Sequence, residues 1–428
     1  MPRPATIAAV KGFRDILPPE SRRWREFERA AAEVFTAYGF GEIRLAVVER
    51  TELFARSLGE TTDVVEKEMY SFADRDGTAV TLRPEATAGV VRAYLESGLV
   101  HRERAARLWY AGPMFRRERP QKGRYRQFQQ IGAEMLGRDD PLADAELLVM
   151  LMRYLAVVGA RDVKLALNSL GDAACRPAYR ERVRAFGEAH RAALCADCHR
   201  RLERNPLRLL DCKVEGCRAV MARAPRMLEH LCSACRAHFA ALRALLDQEG
   251  IEYAVDPHIV RGLDYYCRTA FEVLAAGIGA QNAVAGGGRY DGLVAALGGP
   301  DVPGVGFAVG VDRLAETVRV EAAAPAGPTA VVLALEERAV GPGFALATRL
   351  RHAGVRVGLE PPGRSLKALL RAADRQGARL AVILGGEELA AGRATLRDLV
   401  RGEDRRLALP LDAPASALLA WVEPGATA

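Results

Sequence analysis

A dense group of positive charges lies between residues 116 and 126 and could bind phosphate. The segment reads RRERPQKGRYR and holds five arginines and one lysine among eleven residues. Cations at this density repel one another unless anions lie between them, and guanidinium groups bind phosphate oxygens in a bidentate manner. The segment therefore predicts a phosphate-binding loop. A solvated hairpin tip is the alternative that the residues alone leave open.

The residues after this loop alternate between an apolar and a polar series, as in a β-strand with two different faces. The two series are Ile131, Ala133 and Met135 on one side, and Phe128, Gln130, Gly132 and Glu134 on the other. An apolar face packs on a core, whereas an amide, a carboxylate and an aromatic ring beside a gap suit a polar ligand. We predict a ligand pocket on this strand, with a solvated edge strand as the alternative.

A third segment places an arginine in an apolar, strand-like setting. Arg261 precedes the aromatic pair Tyr265 and Tyr266. A buried arginine needs a partner of opposite charge. That partner is either Asp264, close by in sequence, or an anionic ligand.

Two glycine-rich segments follow. Segment 286–291 (GGGRYD) lets a ligand approach the backbone closely, or is simply a tight bend. Segment 304–313 (GVGFAVGVDR) has one residue too many for the dinucleotide fingerprint GxGxxG, so the sequence does not predict that type of site. Its last residue, Arg313, lies at the start of a predicted helix.

Six of the eight cysteines form three closely spaced pairs. They are Cys195-x₂-Cys198, Cys212-x₄-Cys217 and Cys232-x₂-Cys235. Two CxxC pairs at such spacing are typical of metal sites. We predict a structural zinc ion held by Cys195, Cys198, Cys232 and Cys235, and a cluster of buried thiols is the alternative.

The elements that must position these residues follow from hydrophobic periodicity. An amphipathic helix is expected after Pro18-Pro19 and a strand over 43–47, then a hairpin over 70–82 and a pair of strands around 118–127. Local turns between strands favour an antiparallel sheet. Residues 172–250 read as a helical insertion, 321–328 as a linker, and the remainder as alternating strands and helices of a small α/β domain.

Length and composition set the outer limits. The chain has 428 residues, enough for two or three domains, and half of them are hydrophobic, which excludes a mainly disordered protein. A formal net charge of +7 suits a polyanionic partner without deciding for nucleic acid. No apolar run reaches the roughly 18–20 residues of a membrane span, and no signal peptide is recognisable. We expect a cytoplasmic protein with reduced cysteines and no membrane partner.

Six segments carry a resemblance to a known family. They are KGFRDILP at 11–18, TLRPEAT at 81–87, GPMFRRERPQKGRYRQFQQIGAE at 112–134, RGLDYY at 261–266, GGGRYDGLV at 286–294 and GVGFAVGVDRL at 304–314. Together they resemble the histidyl-tRNA synthetases, which are class II aminoacyl-tRNA synthetases. The arginine loop and the last segment are similar to the general class II motifs 2 and 3, whereas RGLDYY and GGGRYDGLV are typical of the histidine enzymes.

The resemblance implies an architecture. Residues 1–320 would form an α+β catalytic domain with an antiparallel sheet of the class II synthetase type, interrupted by the helical insertion at about 172–250. Residues 329–428 would form a C-terminal α/β domain that binds the anticodon, because RSLKALLRAADRQGARLAVILGGEELAAG at 364–392 looks like that domain of the family. A homodimer is also implied.

The resemblance also implies a reaction and its residues. The carboxylate of L-histidine attacks the α-phosphate of ATP in the presence of Mg²⁺, pyrophosphate leaves, and histidine passes to the 3′ end of its tRNA. Arg116 and Arg313 would bind phosphates, and Arg261 would lie between the histidine carboxylate and the α-phosphate. The implied ATP-binding residues are Arg116, Glu118, Arg124, Phe128 and Arg313. The implied histidine-binding residues are Glu85, Thr87, Arg116, Gln130, Glu134, Arg261, Tyr265 and Tyr266.

Three positions depart from the family pattern. Ala86 stands where glycine is common, Ala46 replaces the usual proline of motif 1, and Asp312 replaces a glutamate in motif 3. None of these changes removes a charge that the reaction needs.

Two other classes of function account for fewer of these residues. A regulatory subunit of ATP phosphoribosyltransferase shares the core fold, but it lacks the C-terminal domain and the residues for aminoacylation. A zinc-dependent nucleic-acid-binding protein would explain the cysteines but not Gln130, Glu134 and the tyrosines.

Overall fold

A computed structural model describes residues 7–59, 62, 64–103, 105–120, 123–210, 212, 214–259, 265–276, 282–318, 329–401 and 407–410. The chain divides into two units, Met1–Arg319 and Val320–Ala428. Of the features singled out from the sequence, Arg261, its possible partner Asp264, residues 121–122 of the arginine-rich loop and the predicted linker at 321–328 lie outside the described residues.

The described part of the first unit contains two β-sheets. Its strands are β1 (Gly41–Glu42), β2 (Val48–Arg50), β3 (Tyr70–Ala73), β4 (Ala79–Leu82), β5 (Ala106–Phe115), β6 (Gln127–Leu136), β7 (Val163–Ser169), β8 (Tyr253–Val255), β9 (Cys267–Ala275), β10 (Ala283–Arg289) and β11 (Gly304–Gly310). The large sheet has the order β1-β5-β6-β11-β10-β9-β7-β8, and the small one β2-β4-β3. All pairs from β5 to β7 in the large sheet are antiparallel, as predicted, while the two edge strands pair in parallel.

Helices cover the large sheet and build the insertion. They are α1 (Glu20–Ala37), α2 (Thr51–Leu58), α3 (Thr87–Glu96), α4 (Leu99–Arg102), α5 (Pro141–Val157), α6 (Arg176–Ala189), α7 (Ala196–Arg204), α8 (Glu215–Met221), α9 (Ser233–Gln248), α10 (Leu293–Ala296) and α11 (Val311–Thr317). The main core lies between the sheet and α1, α5 and α9, where the rings of Phe35, Tyr154 and Phe307 are buried together. This core also buries Ile131, Ala133 and Met135, so the predicted apolar face of β6 is confirmed.

The local predictions have mixed outcomes. The helix after Pro19 and the hairpin over 70–82 are confirmed as α1 and as β3 and β4. The strand predicted over 43–47 is wrong, because these residues form an irregular connection between β1 and β2. The Arg83 side chain takes up carbonyl groups that a strand would use, since Nη1 donates to Leu45 O at 3.0 Å and to Ala46 O at 3.2 Å. The glycines at 286–288 are part of β10 rather than a tight bend.

The insertion is helical, as expected, and it has a small core of its own. Side chains from α6, α7 and α8 pack together in this core, which contains seven buried or half-buried cysteines, Cys175 and the six of the three closely spaced pairs. Helix α9 contributes to both cores, because Cys235 lies in the small one while Phe239, Leu242 and Leu246 lie in the main one. The insertion is therefore joined to the main core through its last helix.

The second unit is an α/β layer structure. Its elements are β12 (Ala330–Ala334), α12 (Val340–His352), β13 (Val357–Glu360), α13 (Leu366–Arg375), β14 (Leu380–Leu384), α14 (Gly386–Ala390), β15 (Arg393–Asp398) and β16 (Leu407–Pro410). The sheet order is β13-β12-β14-β15-β16, parallel among the first three strands and antiparallel beyond them. Across both units, no described helix is long and apolar enough to cross a membrane.

A fully buried ion pair joins α5 to β10 in the first unit. The Arg289 guanidinium donates to Asp144 Oδ1 through Nε at 3.0 Å and Nη2 at 2.5 Å, and to Asp291 Oδ1 at 2.9 Å. The His238 ring of α9 and the Thr269 hydroxyl donate to Asp144 Oδ2 at 2.7 and 2.5 Å. Burial opposes ionisation of Asp144, but His238 and the charge of Arg289 hold its pKa below the ordinary value.

Arg289→Met should destabilise the first unit strongly. Methionine carries no charge, so the Asp144 carboxylate would stay buried without its arginine partner. Breaking one side of a buried pair costs about 3–5 kcal/mol. Urea unfolding followed by tryptophan fluorescence would measure this, since Trp24 and Trp109 are buried in this unit. As a control, Arg29→Ala removes an exposed ion pair with Glu33 on α1 and should leave the unfolding midpoint unchanged. Equal midpoints for the two variants would contradict the role of the buried pair.

Candidate active site

A buried carboxyl group on β6 forms the centre of the candidate site. Glu134 is 1% exposed. Its Oε1 accepts hydrogen bonds from the hydroxyls of Thr87 at 2.8 Å and Tyr110 at 3.4 Å, and its Oε2 accepts one from Tyr290 at 2.5 Å. Three hydroxyls from α3, β5 and the end of β10 thus fix the orientation of one carboxyl group.

Burial changes the protonation of this group. Removal from water raises the pKa of Glu134 to about 8, and the nearby Glu85 carboxyl acts in the same direction. The hydrogen bonds from Tyr290 and Thr87 act against this shift but do not cancel it. The carboxyl group can therefore exchange a proton near neutral pH, which suits a ligand with a titratable ring.

Glycines of the two glycine-rich segments make room for this pocket. Gly306 of β11 is the register partner of Glu134, and a Cβ atom at Gly306 would overlap the Glu134 carboxylate. A Cβ at Gly304 would overlap the Tyr290 ring in the same way. On β10, Gly288 has a φ of +155°, close to the extended range, and a Cβ there would collide with the backbone of β9. These glycines allow the side chains of the pocket to sit where they do.

A second buried carboxyl group lies at the start of α3. Glu85 accepts hydrogen bonds from the backbone N–H groups of Thr87 at 2.7 Å and Ala88 at 2.9 Å. Burial raises the pKa of Glu85, while these two N–H groups oppose the shift. The Thr87 side chain meanwhile donates to Glu134, so the predicted histidine-binding residues Glu85, Thr87 and Glu134 do come together.

Aromatic side chains enclose the pocket. The rings of Tyr265 and Tyr266 lie 4.5 Å apart between centroids, and Tyr265 lies 5.7 Å from Tyr290. Burial raises the pKa of Tyr265 and Tyr290 well above the ordinary value, so these phenols remain neutral hydrogen-bond donors. Tyr265 and Tyr266, the two tyrosines predicted from RGLDYY, therefore lie beside Tyr290, which donates a hydrogen bond to Glu134.

An unsatisfied acceptor lies on the same strand as Glu134. The Oε1 atom of Gln130 is buried and has no hydrogen-bond partner among the described residues. Gln130 precedes Glu134 by four residues on β6, so both project from the same face of the sheet. A buried amide oxygen without a partner is costly, and a ligand donor such as an ammonium group would satisfy it.

Positive charge is concentrated beside the outer end of β6. The Arg116 guanidinium carbon lies 5.4 Å from the centroid of the Phe128 ring, and its Nε donates to Pro84 O at 2.8 Å. Glu118 accepts from Arg124 Nη1 at 2.7 Å and lies 3.9 Å from Arg116 Nη1. The four predicted nucleotide-binding residues between 116 and 128 therefore form one contiguous group, in which two arginines lie beside the Glu118 carboxylate and the Phe128 ring lies beside Arg116.

Arg313 faces the same group from α11. Its Nη1 donates to Ala283 O at 2.8 Å. Burial lowers the pKa of Arg313, and the charges of Arg124 and Arg116 lower it further, while Glu118 acts against them. Arginines from the loop and from the glycine-rich segment therefore converge. Such an excess of cations is a site for a polyphosphate.

The N-terminal segment KGFRDILP supports the arginine loop. Arg14 Nη2 donates to Asp312 Oδ1 at 3.0 Å, and its guanidinium lies 4.4 Å from the Tyr125 ring centroid. Asp312 Oδ2 accepts from the Gln129 N–H at 2.9 Å. Asp312, the aspartate that departs from the family pattern, thus connects the N-terminal segment with the start of β6 through hydrogen bonds.

Sequence reasoning missed Tyr110 and Tyr290, the two phenols that bind Glu134. Tyr290 lies within the quoted segment GGGRYDGLV and Tyr110 on the strand that pairs with β6, where Tyr110 and Gly132 are register partners. Strand pairing together with the missing Cβ of Gly132 could have indicated Tyr110, because the ring fills the space that this glycine leaves. No sequence signal specified the partner of Tyr290.

The predicted four-cysteine zinc ligand set is corrected by the structure. Two separate groups form instead. The four-cysteine group contains Cys195, Cys198, Cys212 and Cys217, and the three-cysteine group contains Asp172, Cys175, Cys232 and Cys235. The two CxxC pairs start different helices, α7 and α9, so each pair finds its partners nearby rather than in the other pair. In each group the possible ligand atoms lie within 4.8 Å of one another, which a metal ion requires.

Glu134→Gln should stabilise the protein, and the gain should grow with pH. In the folded chain the carboxyl group keeps its proton up to about pH 8, whereas in the unfolded chain it loses the proton above about 4.5. Wild-type stability therefore falls as pH rises from about 4.5 to 8, by up to roughly 1 kcal/mol per pH unit. Glutamine removes this loss. Urea unfolding at pH 5 and pH 8 would compare the variants.

The control for this experiment is Glu33→Gln on the exposed face of α1. It should show no pH-dependent gain. A Glu134→Gln protein with the same advantage at both pH values would contradict the protonated state of Glu134.

Comparison with known proteins agrees with this geometry. A sequence model of the family described as histidyl-tRNA synthetase matches residues 12–314, and one described as anticodon binding domain matches residues 329–416. A protein of Syntrophotalea carbinolica named histidine–tRNA ligase is 50% identical over 404 residues, covering 94% of this chain and 96% of the relative. A protein of the same name from Anaeromyxobacter dehalogenans is 51% identical over 405 residues, covering 94% and 97%.

A solved structure extends the comparison to three dimensions. The crystal structure of apo histidyl-tRNA synthetase from S. aureus has a TM-score of 0.79 and 34% sequence identity, covering 98% of this chain and 99% of that one. The match includes both units of the chain. The buried carboxyl pocket, the converging arginines and these relatives lead to one conclusion: the chain belongs to the histidyl-tRNA synthetase family.

Proposed function

We propose that this chain is a histidine–tRNA ligase that activates L-histidine with ATP and transfers it to the 3′ end of its tRNA. The observation that carries this function is the junction of two unlike regions along β6. An enclosed pocket of carboxyl and phenol groups lies around Glu134, and a cationic region lies around Arg116. The pocket around Glu134 suits a neutral ring with two nitrogens, and the cationic region around Arg116 suits a triphosphate.

The cationic region supports the adenylation step. The carboxylate of histidine attacks the α-phosphorus, and the bond to pyrophosphate breaks. Arg116, Arg124 and Arg313 would stabilise the negative charge on the phosphates, and Phe128 would stack on the adenine base. Arg261 would bridge the histidine carboxylate and the α-phosphate, a role that rests on the RGLDYY motif.

Magnesium would accompany ATP, because hard oxygen ligands of phosphate bind it well. The described carboxylates near the arginines are Glu118 and Glu272, since both affect the pKa of Arg313. They fit a cation that is shared with phosphate oxygens. When bound, Mg²⁺ would neutralise negative charge on the leaving pyrophosphate.

The enclosed pocket supports selection of histidine. Glu134 would accept a hydrogen bond from one ring nitrogen, and Tyr266 or Tyr265 would contact the other. The unsatisfied Gln130 Oε1 and the Glu85 carboxyl would bind the α-ammonium group together with Thr87. Amino acids with apolar rings would leave these buried groups unpaired. The site should therefore favour histidine over them by roughly 10⁴-fold or more.

Transfer to tRNA is the second half of the function. The second unit, with its parallel strands β13, β12 and β14, would bind the anticodon, since its sequence matches the anticodon binding domain over residues 329–416. Single-stranded bases are recognised through their edges and by stacking. We propose a cytoplasmic location, where ATP and tRNA are available.

Pyrophosphate exchange tests the proposed function. The purified chain should incorporate labelled pyrophosphate into ATP only when L-histidine and Mg²⁺ are present. Arg261→His should lower the exchange rate by roughly 10²-fold or more, because it removes the guanidinium from the developing negative charge. Lys164→Ala is the control, since Lys164 lies on the exposed side of β7.

Two further arms complete this experiment. Phenylalanine in place of histidine should give no exchange. A wild-type chain that is inactive with histidine, ATP and Mg²⁺ would contradict the proposed function.

A homodimer is part of the proposal, and the small sheet supports it. The register places Val48, Arg50, Tyr70, Phe72, Val80 and Leu82 on one face, which is apolar except for Arg50, and Val48 and Phe72 are 44% and 51% exposed. The opposite face is occupied by a hydrogen-bonded row of Thr51, Thr81 and Ser71 hydroxyls. A second copy of the chain would cover the apolar face.

Phe72→Glu should shift the protein from dimer to monomer, because it places a charge in a buried interface. Sedimentation velocity would measure the mass of each species. Phe344→Glu changes an exposed phenylalanine of the second unit and should leave the dimer intact. A wild-type monomer, or a dimeric Phe72→Glu protein, would contradict this interface.

Structural zinc is the other metal that we infer for this chain. All eight cysteines are free thiols, which is the form that binds metal. Thiolate ligands select zinc over magnesium.

A further inference from the structure

We propose that the insertion binds two zinc ions, one in the four-cysteine group and one in the three-cysteine group. The first site would be enclosed by four thiolates. The second would combine three thiolates with the Asp172 carboxylate. Both ions are structural, and neither takes part in the reaction.

Distances between ligand atoms carry this proposal. A tetrahedral zinc ion with Zn–S bonds of about 2.3 Å separates its sulfur ligands by about 3.8 Å. Cys195 Sγ lies 3.9 Å from Cys212 Sγ in one group, and Cys175 Sγ lies 3.9 Å from Cys235 Sγ in the other. Disulfide sulfurs, in contrast, are about 2.05 Å apart. In each group, the measured thiols are therefore spaced as ligands of a single zinc ion.

The carboxylate of the three-cysteine group fits the same geometry. With a Zn–O bond of about 2.0 Å, tetrahedral ligation places oxygen about 3.5 Å from sulfur. Asp172 Oδ1 lies 3.4 Å from Cys175 Sγ and 3.8 Å from Cys232 Sγ. Asp172 thus takes the position of the fourth ligand.

Backbone N–H groups support thiolates in both groups. The Cys195 N–H donates to Cys217 Sγ at 3.1 Å. In the other group the Asp172 N–H donates to Cys175 Sγ at 3.3 Å, and the Cys235 N–H donates to Cys232 Sγ at 3.4 Å. Such bonds outside the ligand shell stabilise negative sulfur and fix its direction.

The architecture of the insertion also calls for cross-links. Helices α7 and α8 have only nine and seven residues, and the small core contains seven cysteines, counting its partly buried members. Short helices around so little aliphatic surface gain little from packing. Zinc would supply the missing free energy by joining residues that are distant in sequence, as in small metal-dependent domains.

Two hydrogen bonds connect residues next to the three-cysteine group with the segment that carries Tyr265 and Tyr266. Gly171 O, next to Asp172, accepts from the Arg268 N–H at 2.7 Å. Arg176 Nη1, next to Cys175, donates to Tyr266 O at 2.9 Å. Zinc in this group would hold the segment that carries Tyr265 and Tyr266, so Asp172 and its three cysteines are positioning residues. This part of the inference rests on the proposed function.

Zinc content tests the number of sites independently of activity. Full-length protein purified with reducing agent and Zn²⁺, then dialysed, should contain two zinc ions per chain by elemental analysis. Cys217→Ser and Cys232→Ser should each retain one. Cys267→Ser is the matched control and should retain two, because Cys267 belongs to neither group. One zinc in the wild type would overturn the two-site proposal, and none would overturn both sites.

Cobalt substitution identifies the ligands even if a serine variant folds poorly. Asp172→Cys should still bind two Co²⁺ ions, with stronger sulfur-to-cobalt absorption than the wild type, because a fourth thiolate replaces the carboxylate. An unchanged cobalt spectrum would overturn Asp172 as a ligand.

Kinetics of pyrophosphate exchange test the positioning role. Cys232→Ser should raise the KM for histidine severalfold with a smaller change in kcat, whereas Cys217→Ser should leave both near wild type. An unchanged KM in a Cys232→Ser protein that has lost one zinc would overturn this role while leaving the proposed function intact.

Discussion

The Glu134 carboxyl group, buried in the middle of an antiparallel sheet, constrains the structure around it. Burial of an unpaired carboxyl group is costly, so three hydroxyls must reach it from three different elements. The neighbouring strand must then lack side chains at the point of contact, which explains Gly306 opposite Glu134. The glycine-rich segments follow from this need for space. One polar group on β6 thus accounts for residues that are far apart in sequence.

Electrostatics separates the two ends of β6. Around Glu134 the groups are neutral or can become so near neutral pH, because burial raises the pKa of Glu134 and of the tyrosines. Around Arg116, cations exceed the carboxylates that face them. A substrate with a titratable ring and an anionic reacting end would be oriented by this difference alone. In the proposed function, the strand would therefore contribute both to selection of the amino acid and to activation of its carboxyl group.

Much of the site could be predicted from the sequence because it depends on local patterns. The alternation along 128–135 identified the two faces of β6, and the density of arginines identified the cationic loop. Long-range partners were not predictable, because nothing in the sequence states that Tyr290 meets Glu134. The prediction of a strand over 43–47 was wrong for a related reason. Arg83, which is distant in sequence, donates hydrogen bonds to carbonyl groups in this segment. The zinc ligand set failed because spacing alone does not decide which cysteine pairs share a group.

The insertion and the catalytic sheet share buried charges, so their stabilities are coupled. His238 of α9 binds Asp144, which pairs with Arg289 at the end of β10, next to Tyr290 and its hydrogen bond to Glu134. Cys232 of the three-cysteine group is the N-cap residue of the same helix. A helix that is held in its middle by a buried ion pair, and that the proposed zinc ion would hold at its first turn, has little freedom to shift. The insertion therefore supports the sheet that carries the pocket, and its deletion would remove one partner from the buried pair as well as an apolar side of the core.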